Sequence, residues 1–196
     1  MPKFSKQERE RISERLIIQG EKLFNINGMD MVTAEDIAYA AGIAKGTFYN
    51  FYKNKEHLYM VINNEIQNKV FQKFKNHFQR DSNISQTEQL YGATCYILEE
   101  FIKHPLIMEI RPEIWKRIEE KAPKECVEEN NARDLDLFTF IQNQGFCFRY
   151  GLETTMKLMQ MQFTQLAYIK NDASSIELLK ITLLALAKHL LLEEHS

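Results

Sequence analysis

The chain has 196 residues, 44% of them hydrophobic and 27% charged, with 7 Gly, 4 Pro and a formal net charge of -2. This composition excludes a disordered chain, a fibrous repeat and a loop-rich secreted scaffold, and the length suits one compact domain or a small domain riding on a larger one. Cys95, Cys126 and Cys147 are widely spaced, odd in number and form no C-x-x-C pair, which argues against a disulfide framework or a thiolate metal site and fits a reducing cytoplasm. The first residues are charged rather than apolar, and the longest apolar run, Leu183 to Ala187 extended by Ile181 and Thr182, is too short to span a bilayer. Neither an export signal nor a membrane partner is expected.

The small net charge hides an asymmetry. Residues 1–80 carry 13 Lys and Arg against 9 Asp and Glu, whereas the remainder carries 12 against 18. A positive first part and a negative second part are expected if only the first meets phosphate, although solvated charges can cluster by chance.

Helix signals run throughout the sequence, and no sustained two-residue alternation marks a strand, so the chain reads as all-α. Four boxes of a hydroxyl residue followed three positions later by an acid mark helix starts: Ser5 with Glu8, Thr33 with Asp36, Ser85 with Glu88 and Ser174 with Glu177. The first helix is predicted from about Lys6 to Asn25, with Ile12, Leu16, Gly20, Leu23 and Phe24 on one face and Gly28 placed to end it in a left-handed cap. Gly20 on the apolar face implies a close helix contact there. Two short helices follow, Thr33 to about Ala41 and Ala44 to about Phe51, joined through Gly42 in the manner of a helix-turn-helix.

Asn54 can cap a long helix reaching about Phe78. Its apolar residues Leu58, Ile62, Ile66, Val70, Phe74 and Phe78 recur every four positions. Each such step over-rotates by roughly 40° on a 3.6-residue helix, so the stripe spirals, as suits a rod connecting two domains. Ser85 opens a helix that Pro105 closes, Pro112 and Pro123 punctuate shorter ones, and Asp134 to Asn143 resumes helical spacing. Two long helices finish the chain, about Leu152–Lys170 and Ser174–Glu193. The last carries a second apolar stripe, Leu178, Ile181, Leu184 and Leu191, beside Ile176, Leu179, Leu183, Leu186 and Leu190. One subunit can hardly cover both stripes, so a homodimer built through these two helices is expected over a thoroughly buried core helix. The expected organisation is a helix-turn-helix domain over 1–53, a connecting helix over 54–80 and a helical bundle over 81–196.

Within residues 20–59 several elements stand in register: Leu23-Phe24 with Gly28, Thr33 before Asp36-Ile37-Ala38, Ala41-Gly42-Ile43, Lys45-Gly46-Thr47-Phe48-Tyr49, and Tyr52 before Asn54-Lys55-Glu56 and Leu58. In this pattern the segment resembles the N-terminal domain of the TetR family of transcriptional regulators. The residue chemistry makes sense on its own terms. Ile37, Ala38, Ala41, Ile43, Phe48 and Tyr52 have the spacing to pack two short helices on the first, leaving Lys45, Thr47, Tyr49 and Asn50 outward as donors and acceptors for base edges and phosphates. Gly46 removes a side chain where a groove wall would come near.

The resemblance implies that the helix from Ala44 enters the major groove of a double-stranded DNA operator, with Lys45, Thr47, Tyr49 and Asn50 touching DNA and Thr33 and Lys55 clamping the backbone. Plain alternatives stand beside these roles: Thr33 as a cap alone, Tyr49 as packing, Lys53 and Lys55 as a solvated face. Ala44 departs from the hydroxyl residue often found there in the family, and the helix loses a cap of roughly 1 kcal/mol.

The resemblance also implies that the larger domain binds a small-molecule effector, dimerises and shifts the DNA-binding heads. Trp115, Phe138, Gln142, Met156, Met159 and Phe163 are the candidate lining, with plain core as the competing reading. Glu99, Glu109 and Glu113 could meet a cationic effector. No catalytic, metal or cofactor constellation is apparent, since His57, His77, His104, His189 and His195 show no H-E-x-x-H spacing and no Gly-rich phosphate loop occurs. An enzyme is not expected, and a helical protein-interaction adaptor is the better rival to a DNA-binding repressor.

Overall fold

Three of the four capping boxes are formed as expected, at Ser5, Thr33 and Ser85, where each hydroxyl accepts the amide three residues on and the acid there reaches back to the cap amide. The computed structural model describes residues 4–108, 111–167 and 173–192. Over these it is helical: α1 Lys6–Met31, α2 Ala34–Ala40, α3 Lys45–Phe48, α4 Lys55–His77, α5 Gln86–Ile102, α6 Pro105–Met108, α7 Pro112–Lys121, α8 Lys124–Asn143, α9 Leu152–Phe163 and α10 Ala173–Leu190. A 3-10 turn, Thr164–Ala167, follows α9.

The chain divides into two units. The first takes the chain up to Ile66 together with Pro112–Glu128, and the second takes Gln67–Arg111 with the chain from Glu129 onward. The division falls inside α4 and assigns α7 to the head, whereas the sequence placed residues 112–128 with the C-terminal bundle.

In the first unit α1 meets the start of α4 at Gly20. A Cβ built there would lie 2.8 Å from Leu58 Cδ2 and 3.2 Å from Ile62 Cδ1, which accounts for glycine on a buried helix face. Leu16, Phe24, Ile37, Phe48, Leu58 and Ile62 are essentially inaccessible and form the centre of this unit. Gly28 interrupts α1 with φ 72° and ψ 159°. The positive φ is as expected, but the ψ corrects the left-handed cap to a conformation almost confined to glycine. α7 buries Ile114 and Ile118 in the same unit, and Arg117 NH2 lies 2.7 Å from Asp30 Oδ1 and Arg117 Nε 3.6 Å from the buried Glu56 Oε1.

In the second unit α10 packs on α5 and α9 through Leu179, Leu183, Ala187 and Leu190. Lys180 on α10 pairs with Glu99 on α5 at 2.7 Å. Past α10, Arg149 N donates to Leu190 O and Leu192 N to Cys147 O, closing an isolated bridge between Phe148 and Leu191 that two residues are too short to announce in the sequence.

Several boundaries differ from expectation. α3 spans four residues, its continuation to Tyr52 being made of turns. α8 starts at Lys124 rather than Asp134, because inward-facing Asn130 and Asp134 break the apolar periodicity. Ser174 lies inside α10, so the fourth box is not its cap. The expected helix ends at Lys170 and Glu193 lie outside the described residues.

Candidate nucleic-acid interface

The first unit presents two short helices joined by a tight turn. At the start of α2 the Thr33 hydroxyl accepts from Asp36 N at 3.1 Å and donates to Asp36 Oδ2 at 2.6 Å, while Thr33 N donates to the same oxygen at 2.8 Å. These bonds hold the Asp36 carboxyl below its usual range. Gly42, at φ 68°, turns the chain, and Ile43 N donates to Ala38 O at 3.0 Å. Ala44 precedes α3 with no side-chain cap, as its lack of a hydroxyl requires.

Beneath α3, Phe48 is fully buried. Its ring lies 5.8 Å from that of Tyr52, whose hydroxyl shares a 2.9 Å hydrogen bond with Ser13 on α1. Burial raises the Tyr52 phenol pKa, so it stays neutral. With Phe48 anchored inward, α3 and the turn after it hold Lys45, Gly46, Tyr49 and Asn50 outward and leave Thr47 half-buried. Tyr49 is 51% exposed, its ring edge-on to Phe48 at 5.4 Å. A Cβ added at Gly46 would meet nothing within 4 Å, so internal packing gives no reason for glycine there.

Asn50 is tied down by its backbone: its carbonyl accepts from Arg9 NH2 at 3.4 Å, and the same guanidinium lies 4.9 Å from the Phe51 ring centroid. Lys45 Nζ donates to Glu35 Oε2 at 2.8 Å, both side chains being exposed, and this bond raises the lysine pKa. Burial lowers the His57 pKa, and its Nδ1 accepts from Lys53 N at 3.0 Å, so the ring is neutral with the proton on Nε2.

Lys55 departs from its expected role. Its Nζ donates to Met29 O and Val32 O at 2.7 Å and to Asp30 O at 3.4 Å. Burial lowers its pKa. All three ammonium protons are thus directed at the carbonyls where α1 ends, which leaves none for a phosphate; Lys55 staples α4 to the end of α1. Thr33 is likewise engaged in its cap. Two residues on the outer side of this head were not among the sequence candidates: Tyr39, 87% exposed on α2, and Glu35. Tyr39 was legible, because Ile37, Ala38 and Ala41 take the inner positions of α2. The pairing of Glu35 with Lys45 depends on the path of the turn and was not.

Of the six candidate effector residues, five belong to the second unit and Trp115 to the first. Phe138, Met156 and Met159 are buried in the second unit, and Phe163 is half-buried with its ring 5.9 Å from Phe101. Phe138 faces Phe148 at 6.2 Å. Gln142 is exposed because Leu137, Phe138 and Ile141 take the inner face of α8. Trp115 belongs to the first unit, where its Nε1 donates to Glu119 at 2.9 Å. Glu99 is paired with Lys180, Glu113 stands exposed in the first unit, and Glu109 lies outside the described residues.

What the second unit does hold is a buried polar cluster that periodicity could not show. The Asp134 carboxylate accepts from Gln67 Nε2 on α4 at 2.6 Å and from Gln160 Nε2 on α9, and Gln67 Oε1 accepts from Asn130 Nδ2 at 2.9 Å. Burial pushes the Asp134 pKa from 3.8 to about 6, against the lowering effects of the Gln160 hydrogen bond and of Arg133.

The head is therefore a three-helix helix-turn-helix domain with polar side chains on the outer side of its second short helix, the architecture of a DNA-binding regulator. Residues 16–61, within this head, match the family of bacterial regulatory proteins, tetR family. Comparison with curated proteins gives no match. Among solved structures, a TetR-family transcriptional regulator from Pectobacterium atrosepticum is similar over 98% of this chain and 100% of its own, with TM-score 0.69 and 15% identity. FadR of Thermus thermophilus, a TetR-family repressor solved with lauroyl-CoA, is similar over 93% and 96%, with TM-score 0.60 and 19% identity. RolR, solved with resorcinol, is similar over 96% and 99%, with TM-score 0.61 and 16% identity. The likeness to these structures extends the shared fold well beyond the matched head. Among the described residues no helix is long and apolar enough to cross a membrane.

Proposed function

We propose that this regulator is a cytoplasmic homodimeric repressor that holds a roughly palindromic operator with two copies of its head and releases it when a small molecule binds the C-terminal helices. The observation that carries the DNA-binding part is the surface of α3 and the turn that follows it: Lys45, Gly46, Tyr49 and Asn50 face outward while Phe48 alone anchors the helix, and the glycine has empty space where a side chain would stand. Lys45 and Asn50 supply groups for base edges, Tyr49 and Thr47 for phosphates, and Thr33 marks the flank. Lys55 is not carried forward as a phosphate contact. Dimerisation through α10 is supported by Leu178 and Ile181, 63% and 57% exposed on one helix. Two heads related by a two-fold axis would read half-sites about one helical turn, or a multiple of it, apart. Effector control is supported by the ligands carried by FadR and RolR, lauroyl-CoA and resorcinol.

Fluorescence anisotropy with duplex DNA across a salt series tests the reading. Specific duplex binding that weakens steeply with salt is expected, and Tyr49→Ala and Lys45→Ala should weaken it without lowering the melting temperature. Salt-insensitive binding of a protein partner, with no duplex affinity, would instead favour the adaptor.

A further inference from the structure

The outer face of the head carries an anion where a surface built only to hold phosphate would carry none. Glu35 stands in the first turn of α2 and Lys45 is the first residue of α3, and the turn brings Lys45 Nζ to 2.8 Å from Glu35 Oε2. Both side chains remain largely in water, at 66% and 54% exposure, so packing does not explain the pair. An exposed ion pair contributes little to stability. Its effect falls on whatever approaches this face.

A phosphate drawn to Lys45 would meet the Glu35 carboxylate beside it. The repulsion opposes backbone contact at this point, and the short bond holds the ammonium away from the position where it would act as a mobile point charge. A base pair is different. In the major groove a G·C pair offers two adjacent acceptors, guanine N7 and O6, followed by the cytosine N4 amino donor. The ammonium can donate to the first two while the carboxylate accepts from the third, so one base pair satisfies both charges with neither left desolvated and alone. An A·T pair presents one acceptor, then a donor, then an acceptor flanked by a methyl group, and gives the ammonium no two adjacent acceptors. The empty space at Gly46, next in the chain, leaves room for a base edge at this spot.

We infer that Glu35 and Lys45 act as one reading unit that selects a G·C pair at a fixed position in each half-site, with Glu35 as a specificity-determining residue that lowers non-specific affinity. The inference rests on the reading of the head as a duplex-binding surface. Glu35→Gln keeps the side-chain length and removes the charge at an exposed position; Glu35→Asp keeps the charge.

The test selects consensus duplexes of about three helical turns from a randomised pool with the full wild-type chain. Consensus and scrambled duplexes are then titrated with wild type and both variants between about 50 and 200 mM salt. The wild-type consensus should hold one invariant G·C pair per half-site. Glu35→Gln should bind the scrambled duplex several-fold more tightly and steepen its salt slope by about one, as a phosphate becomes reachable. Its preference for the consensus should fall about tenfold, with the invariant pair relaxed. Glu35→Asp should retain most of the preference. Unchanged slope and preference in Glu35→Gln, or a consensus without an invariant G·C pair, would overturn the inference while leaving the regulator reading intact. A wild-type chain that binds no duplex at all would overturn both.

Discussion

Replacing Asp134 by asparagine should make the protein more stable at neutral pH and change little near pH 4. The carboxylate sits in the second unit with Gln67 and Gln160 amides as its hydrogen-bond partners, and burial raises its pKa from 3.8 to about 6. Between these values the folded chain holds a proton that the unfolded chain has released, so stability falls as pH rises through the interval. A gap of about 2 pH units corresponds to roughly 3 kcal/mol, present in full below pH 4 and lost above pH 6. Asparagine is neutral throughout and can keep the network: its carbonyl accepts from Gln67, which Asn130 holds in place, while its amino group donates to Gln160 once that amide turns over. Urea unfolding of both proteins from pH 4 to pH 8 measures the difference. Glu8, Asp36 and Glu100 have lowered pKa values and act in the opposite sense, but they are common to both proteins and cancel. The asparagine variant should gain up to about 3 kcal/mol over wild type by pH 7, and most of the gain should develop between pH 4 and 6. Parallel stability profiles for the two proteins would refute the reasoning, since they would mean that the carboxylate has the same proton affinity folded and unfolded.

Gly46→Ala should raise the melting temperature slightly, because helix propensity improves by up to about 1 kcal/mol and the new methyl meets nothing, while duplex affinity measured by anisotropy drops. Gly28→Ala should destabilise by about 1–3 kcal/mol in urea unfolding, since the φ of 72° with ψ 159° is closed to alanine without strain. Ala44→Ser should supply the missing cap of α3 and stabilise by about 1 kcal/mol, read as a shift in the urea midpoint. Lys55→Met should lower stability by about 1–3 kcal/mol by leaving the carbonyls of Met29 and Val32 without their donor, and the salt slope of duplex binding should stay unchanged.

Legibility in the sequence depended on whether the signal was local. The caps at Ser5, Thr33 and Ser85 involve residues three apart, and the sequence located all three. Gly20 announced a close helix contact because a glycine on an apolar face makes room for a neighbour, and Leu58 and Ile62 fill the space it leaves. The outward set on α3 was legible because Phe48 and Tyr52 fix which side of a short helix is buried. Polar burial was not legible. Asn130 and Asp134 look like surface residues, so α8 appeared to begin ten residues late, and the buried carboxylate went unseen. Lys55 failed for a similar reason: the carbonyls that hold it lie more than twenty residues upstream, and no spacing rule reveals an ammonium docked on another helix's end.

Glu56 shows why the folding unit of the head is larger than the segment that carries the family pattern. Its side chain is 4% exposed, and a buried carboxylate left without a counter-charge is strongly destabilising. It faces Arg117 at 3.6 Å and Lys121 at 4.0 Å, both from α7. Arg117 reaches Asp30 at the end of α1 as well, and Lys121 O accepts from the Asn54 amide that also caps α4. Ile114 and Ile118 add apolar burial on the same side of α7. The matched residues 16–61 therefore contain these acids but not the α7 bases that neutralise them. The position of α4 relative to α1 is set jointly by the Lys55 staple, which is local to the head, and by the Arg117 bridge, which comes from a segment some sixty residues later. A change that displaced α7 would unpair Glu56 and Asp30 from Arg117 together, so the electrostatic cost would fall on α4 and α1, against which the two short helices are built, rather than on α7 itself.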